Sequence, residues 1–381
     1  MRILVEGWRG VPHSYCVVNQ RQCAELLKLP DVELYHRDMP YFGKGWRRRE
    51  GVFPRELEAA VASLPAPPES LPMDAVLRVA YPYDFSPPRS GALLVFATAE
   101  YGTPAADCLA GGEGSFAEAA ARAGAWLVTP SNWSRDALLA AGAPAGRVRV
   151  VPHGVDPAVQ RPASPSVRRA LREAFGWEGS FVFLNVGAMT PNKGVGLLLK
   201  ACATLALEGR RLRLALKGMD DLYQSSRLLA GLGGGLSAAE VEAVGPLMEY
   251  HGGSLPEESL AAMYQAADAY VSPYLAEGFN LPVLEAAACG TPALCSRGGP
   301  TDDFVDDAFA LRIDSAVVRE DGAVKCLAPS QEHLAAQMRR VMDDPAFRAR
   351  AASASPAWAH GRFSWGKVAA GLLDVIREAA G

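Results

Sequence analysis

Residues 277–301 read EGFNLPVLEAAACGTPALCSRGGPT, the most informative stretch in the chain. Two carboxylates, Glu277 and Glu285, stand eight positions apart around a helix start. Asn280 is a favoured N-cap type, Pro282 suits a first turn, and Gly290 is a natural stop. The pattern predicts a short helix whose first N–H groups face an open cleft. Unpaired donors and the helix dipole together draw phosphate to such an end. Glu277 falls just before the helix and Glu285 on its first turns, so both can face one ligand. N–H groups suit a diphosphate, and carboxylates suit sugar and ribose hydroxyls, which points to a nucleotide sugar.

Outward from this stretch, short apolar runs alternate with longer helical patterns, the signature of parallel α/β layers. In the first half, strands are expected at 2–5, 32–35, 75–80, 92–97, 125–129 and 148–151. Helices are expected at 14–27, 115–123 and 134–141. Residues 40–73 are rich in proline and charge and read as an insertion at the cleft rim with one helix near 55–63. VPHGVDP at 151–157 suits a hinge. A second series follows: strand 181–187, helix 195–207, strands 212–217 and 248–251, helix 256–266 and strand 269–272. Ser254 with Glu257, and Ser237 with Glu240, read as capping boxes. GLGGG at 231–235 reads as a flexible loop, and 364–379 as an amphipathic helix. Two doubly wound lobes result, with ligands expected beyond the carboxyl ends of the strands.

Bulk properties agree. A chain of 381 residues is long for one core, and 49% hydrophobic with 21% charged residues is a soluble globular profile. A net charge of −4 argues against a dedicated nucleic-acid binder. Arg47, Arg48 and Arg49 form the sharpest basic run. It reads as a solvated loop, with contact to an anionic acceptor or a membrane surface as the second reading. Seven scattered cysteines without a C-x-x-C pair point to reduced thiols in the cytoplasm rather than disulfides or zinc. MRILVEG enters a strand pattern directly, and no apolar run approaches about 18 residues. Peripheral membrane contact stays open.

Four more loops can carry chemistry. EGWRGVPHSY at 6–15 follows the first strand. Gly7 and Gly10 let backbone approach a ligand and Ser14 can cap the next helix, so the loop reads as covering the donor diphosphate or the acceptor, with an ordinary turn as the second reading; it does not match G-x-G-x-x-G. In NVGAMTPNKGV at 185–195, Gly187 ends a strand and Lys193 offers a cation for a departing diphosphate. In LALKGMDDLY at 214–223, Lys217 is expected exposed at the cleft as a second phosphate cation. Asp220 and Asp221 read as a helix start in preference to a metal site, since no D-x-D occurs. In HGGSLP at 251–256, Gly252 and Gly253 either expose main chain to a nucleobase edge or form a plain turn.

VPHGVD, NVGAMTPNKG, the run ADAYVSPYLAEGFNLPVLEAAACGTPAL and a closing FSWGKVA resemble glycosyltransferase family 4, a group of retaining enzymes with the GT-B fold. In the first lobe the likeness is looser and rests on the first-strand loop and VTPSNWSRDALLAAG at 128–142. The resemblance implies an acceptor-binding domain over 1–152, with helix 364–381 packing back on it, and a nucleotide-sugar-binding domain over 153–363. It implies that Glu277 meets donor-sugar hydroxyls and Glu285 the ribose. Main-chain groups of Gly278, Phe279, Asn280 and Leu281 would hold sugar and diphosphate, and Lys193 would match the phosphate-binding lysine. Neither a metal nor a further cofactor is implied. The acceptor is a glycan, a lipid-linked sugar or a small molecule.

Three departures stand out. Members usually carry an arginine where Ala188 stands, so Lys217 is the candidate replacement. They commonly have glycine at Asn280. Many have a lobe-one histidine near the anomeric carbon, where FATAEYG at 96–102 offers Glu100 instead. Two alternatives use the same donor lobe: a sugar-nucleotide epimerase or hydrolase, and an inactive donor-binding partner subunit.

Overall fold

Twelve strands form two separate six-stranded sheets. The computed structural model describes residues 1–105, 107–112, 114–320 and 323–381. The first sheet holds β1 (Arg2–Gly7), β2 (Glu33–Asp38), β3 (Ala75–Val79), β4 (Ala92–Phe96), β5 (Trp126–Thr129) and β6 (Val148–Val150), in the order β2-β1-β3-β4-β5-β6. The second holds β7 (Phe181–Val186), β8 (Leu212–Lys217), β9 (Met248–His251), β10 (Ala269–Ser272), β11 (Ala293–Ser296) and β12 (Ala310–Ile313), in the order β12-β11-β10-β7-β8-β9. Neighbouring strands run parallel in both. The chain therefore reverses its winding between β1 and β3 in one sheet and between β7 and β10 in the other. Such switch points leave a crevice at the carboxyl ends, the preferred ligand position in this architecture. A separate hairpin joins β13 (Ser315–Glu320) to β14 (Ala323–Pro329).

The chain divides into two units. Unit 1 comprises Met1–Gly154, Glu320–Lys325 and Phe363–Gly381; unit 2 comprises Val155–Arg319 and Cys326–Arg362. The sequence places the end of the first lobe at 152. His153 packs its ring near Phe96 and Trp365, which keeps it with unit 1. The segment Glu320–Lys325, read with the second lobe, also joins unit 1, where Gly102 N donates to Lys325 O at 3.0 Å. In unit 2 the buried core runs through Phe183, Leu198, Cys202, Leu214, Leu294 and Met338. In unit 1 the helix Trp365–Ala380 buries Leu372 and Ile376 and packs on the helix Ser14–Leu26. All seven cysteines are unbonded. Among the described residues no helix is long and apolar enough to cross a membrane.

Four local expectations fail for physical reasons. β2 begins one residue later and ends three later than expected, because its polar end is paid for by cross-strand charge: register sets Glu6 beside both Arg37 and Arg78, with contacts of 2.7 and 2.8 Å. Ser254 caps no helix; its hydroxyl donates to Asp221 at 2.7 Å, and the helix Glu257–Ala266 starts from Pro256. The Ser237–Glu240 box does form. His13, not Ser14, caps the first helix. GLGGG lies at the end of the helix Ser225–Leu232 and in the 3₁₀ turn Gly233–Gly235 rather than in a loop.

His36 gives unit 1 a pH-dependent stability. It is buried, and Asn19 Nδ2 donates to its Nε2 at 3.0 Å, which requires that nitrogen unprotonated. Burial and, less strongly, Arg9 push its pKa down to about 4 from 6.5, against the opposing pull of Asp38. The folded state therefore binds fewer protons than the unfolded chain. Its contribution is full above pH 6.5 and is lost as pH falls toward 4, by on the order of 3 kcal/mol. Urea midpoints should fall between pH 7 and pH 5, and His36→Gln should flatten that slope. Equal slopes in both proteins would remove His36 as the cause.

Candidate active site

Two loops meet at the β7/β10 switch point. The first leaves β7 at Gly187, whose N–H donates to Lys217 O at 3.0 Å. Met189, at positive φ and fully buried, anchors it in the core. One 3₁₀ turn, Pro191–Lys193, then leads to Gly194, which starts the helix Val195–Leu207 in the left-handed region. The second loop leaves β10 at Pro273. Asn192 joins the two: its carbonyl accepts from Leu275 N at 2.7 Å, and its Nδ2 donates to Ala276 O at 3.0 Å.

This join sets Lys193 against Glu277, with Nζ to Oε1 at 2.7 Å. Both side chains are mostly buried, 20% and 10% exposed, so the pair stands at a sheltered but accessible position. Glu277 precedes the helix Leu281–Ala288, which carries Pro282 in its first turn and is followed by Gly290 at positive φ. Asn280 occupies the N-cap position, but its side chain caps nothing. Its φ is 77°, and its Nδ2 donates to Ser272 Oγ at 2.9 Å. The left-handed conformation is one that glycine adopts freely and asparagine tolerates. The helix start is thereby left without a side-chain cap. Phe279 stacks on Phe304 at 4.6 Å, which fixes the main chain of Gly278 and Phe279 from behind.

Glu285 lies on the same helix and accepts a hydrogen bond from the buried Tyr264 hydroxyl at 2.8 Å. Burial first, and the Glu285 charge second, raise the Tyr264 pKa, so the phenol stays a donor that orients the carboxylate.

Lys217 departs from its expected exposure. It is 6% exposed, and its amine donates to Gly218 O. Burial lowers its pKa, opposed by Asp221 and Asp220. A strand end inside a parallel sheet is covered by the loops of its neighbours, which the apolar run alone did not reveal. Asp220 starts a short helix and accepts from Tyr250 at 2.8 Å. Gly253 is exposed and open on its Cα side. Among the described residues no group of three or more His, Cys, Asp or Glu side chains could hold a metal ion.

In unit 1, Gly10 has φ 74° and its N–H donates to Gln20 Oε1 at 3.0 Å. Glu100 is exposed after β4, and its carbonyl accepts from Trp133 Nε1 at 2.9 Å. The structure thus brings together Lys193, Glu277, Asn280 and the Leu281 helix start; Lys217 ends the adjacent strand, beside Gly187, with its amine buried on Gly218 O. Sequence reasoning missed Asn192, Ser272 and Tyr264. Asn192 alone left a signal: an asparagine between proline and lysine in a turn before glycine.

The sequence profile described as "Glycosyl transferases group 1" matches residues 167–358. Over 248 residues the chain is 32% identical to a D-inositol 3-phosphate glycosyltransferase of Nocardiopsis dassonvillei, covering 62% of this chain and 51% of that protein. It is 30% identical over 236 residues to an MMP alpha-(1->4)-mannosyltransferase of Mycolicibacterium hassiacum, covering 61% and 49%. The matched regions span about half the length of these relatives. Among solved structures, Anabaena HepE in complex with UDP-glucose superposes with a TM-score of 0.71 at 16% identity, covering 99% of this chain and 100% of that one. WaaG, a glycosyltransferase involved in lipopolysaccharide biosynthesis, gives 0.63 at 17%, covering 98% and 99%. At such identities the likeness concerns the fold, which is that of the GT-B glycosyltransferases.

Proposed function

The chain belongs to the glycosyl transferases group 1 family, and from that premise we propose that it moves a hexosyl group from a nucleoside-diphosphate sugar to an acceptor hydroxyl, with retention and without a metal. The observation that carries this reading is the Lys193–Glu277 pair, 2.7 Å apart at the switch point, beside a helix start without a side-chain cap. An amine and the main-chain N–H groups of a helix start suit a leaving diphosphate, and an adjacent carboxylate suits sugar hydroxyls. The relatives named for glycosyl and mannosyl transfer and the UDP-glucose in HepE favour a hexose.

In this reading unit 2 holds the donor. Glu277 accepts from sugar hydroxyls, and main-chain groups of Gly278, Phe279, Asn280 and Leu281 hold sugar and diphosphate. Glu285, oriented by Tyr264, accepts from the ribose. Gly187 leaves room beside Lys193, and Gly253 opens main chain to the base. Gly10 and Glu100 in unit 1 serve the acceptor. The bond from the anomeric carbon to the phosphate oxygen breaks, the acceptor oxygen bonds to that carbon on the same face, and its proton passes to the departing phosphate oxygen. No protein nucleophile is needed, so the paired-carboxylate scheme of glycosidases does not apply. Unbonded cysteines agree with a cytoplasmic setting.

Incubation with UDP-, GDP- and ADP-hexoses, an acceptor panel and excess chelator tests this. The expected result is acceptor-dependent release of nucleoside diphosphate, indifferent to chelator, with an α-linked product from an α-linked donor. Free hydrolysed or epimerised sugar would replace transfer with the second enzyme class. Binding without turnover would favour a partner subunit.

A further inference from the structure

The β1/β3 switch point of unit 1 carries a feature that donor chemistry does not use. Residues 41–49, YFGKGWRRR, place four cations within six positions, Lys44, Arg47, Arg48 and Arg49, all exposed. They rest on a rigid base. Trp8 Nε1 donates to Pro40 O at 2.8 Å, Tyr41 OH to Arg9 O at 2.6 Å, and Arg49 N to Gly10 O at 2.8 Å. The buried Trp46 ring lies 5.5 Å from Trp8 and 5.2 Å from His13. Phe42, 53% exposed, lies 5.2 Å from Tyr81 just beyond β3. The Arg48 stem covers Gly10: a Cβ there would fall 2.5 Å from Arg48 Cγ.

Asp38, at the end of β2, is engaged by another arginine. It takes a bidentate pair from Arg9, at 2.6 and 2.7 Å. Arg47 donates to the carbonyls of Lys44 and Trp46, which fixes its plane without cancelling its charge. Lys44, Arg47, Arg48 and Arg49 outnumber the one acid of this stretch, Glu50, so the exposed rim carries net positive charge and favours an anion. Guanidinium forks fit phosphate oxygens, and the exposed ring of Phe42 offers an apolar face to a carbon skeleton.

We propose that the 41–49 rim of unit 1 binds the phosphate group of a phosphorylated acceptor. The word acceptor rests on the transferase reading; the phosphate site does not. The phosphate can be borne by a soluble sugar phosphate or by a phospholipid headgroup.

Binding separates these cases. Glucose 6-phosphate is titrated against glucose by calorimetry, and vesicles of phosphatidylglycerol in phosphatidylcholine are sedimented against phosphatidylcholine alone. These use the full chain and the triple variant Arg47→Gln, Arg48→Gln, Arg49→Gln. For a soluble acceptor, glucose 6-phosphate should bind at least about tenfold more tightly than glucose, weaken with salt, and lose that advantage in the variant. For a lipid-borne acceptor, only the phosphatidylglycerol vesicles show this dependence. Nucleotide-sugar affinity and the melting temperature should not move in the variant. If neither probe exceeds its phosphate-free counterpart, or the variant binds equally well, the site is overturned. Arginine-dependent phosphate binding without any sugar transfer would retain the site and reject the transferase reading instead.

Discussion

Lys193→Ala and Glu277→Ala are each expected to lower kcat/KM by about 10²-fold or more, roughly 3 kcal/mol of transition-state stabilisation. The size follows from where charge builds. In the proposed reaction negative charge moves to the phosphate oxygens as the anomeric bond breaks, and Lys193 is a cation placed at the β7/β10 crevice to meet it. Its amine sits 2.7 Å from Glu277 and is mostly shielded from water, so its field is worth more than at an open surface. Removing it deletes a cation that would stabilise the transition state and takes the ammonium from a largely buried carboxylate. Removing Glu277 deletes the proposed sugar contact and the carboxylate that positions the Lys193 amine. Because each residue positions the other, the double variant should lose much less than the product of the two single losses. Lys193→Arg should recover only part of the rate, since a planar fork does not fit a site shaped for one ammonium. Initial rates of nucleoside diphosphate release, with melting curves to verify folding, measure all four. Near-normal rates in both single variants would remove this pair from the chemistry.

How much of this could be read in advance differs from place to place. The spans Val195–Leu207, Leu212–Lys217, Met248–His251 and Ala269–Ser272 stand as their apolar period predicts: Leu212–Lys217 and Ala269–Ser272 are buried almost throughout, Val195–Leu207 buries more than half of its residues, and Met248–His251, at the sheet edge, is mostly half-buried. The proximity of Lys193 and Glu277 followed from two loops leaving adjacent strands of one sheet. What was not legible is what distant residues do to a polar side chain. Asn280 stands where an N-cap is expected, yet Ser272 draws its amide away and the backbone turns left-handed. Ser254 has capping-box spacing, yet Asp221, 33 positions away, takes its hydroxyl. Lys217 ends a strand as a cation should at a cleft, yet its neighbours bury it. In β2, Arg37 and Asp38 look like loop residues until Glu6 and Arg9 stand opposite them. Each case turns on a contact across the sheet or between loops, which local periodicity does not encode.

The same dependence on loop contact makes Gly194 the residue whose change should cost unit 2 most per atom added. A Cβ at this position would lie 1.9 Å from the carbonyl oxygen of Pro273, a backbone atom held by the second loop. The φ of 69° adds the left-handed penalty of an L-residue, about 1–2 kcal/mol. Relief requires the two loops to part, which strains the Asn192 bonds to Leu275 and Ala276 and separates Lys193 from Glu277. Gly194→Ala should therefore destabilise unit 2 by about 3 kcal/mol or more and lower its melting temperature by roughly 6–12 °C. Activity should also fall at temperatures where the variant is still folded. Two positions on, Gly196 lies inside the helix Val195–Leu207 with nothing within 4 Å of its would-be Cβ. Gly196→Ala should raise stability by up to about 1 kcal/mol, through helix propensity alone, and leave the rate unchanged. One methyl added at each of two neighbouring glycines thus has opposite signs. Calorimetric melting of the two variants reads both, and an unchanged midpoint for Gly194→Ala would show that the close approach of the two loops does not hold the site together.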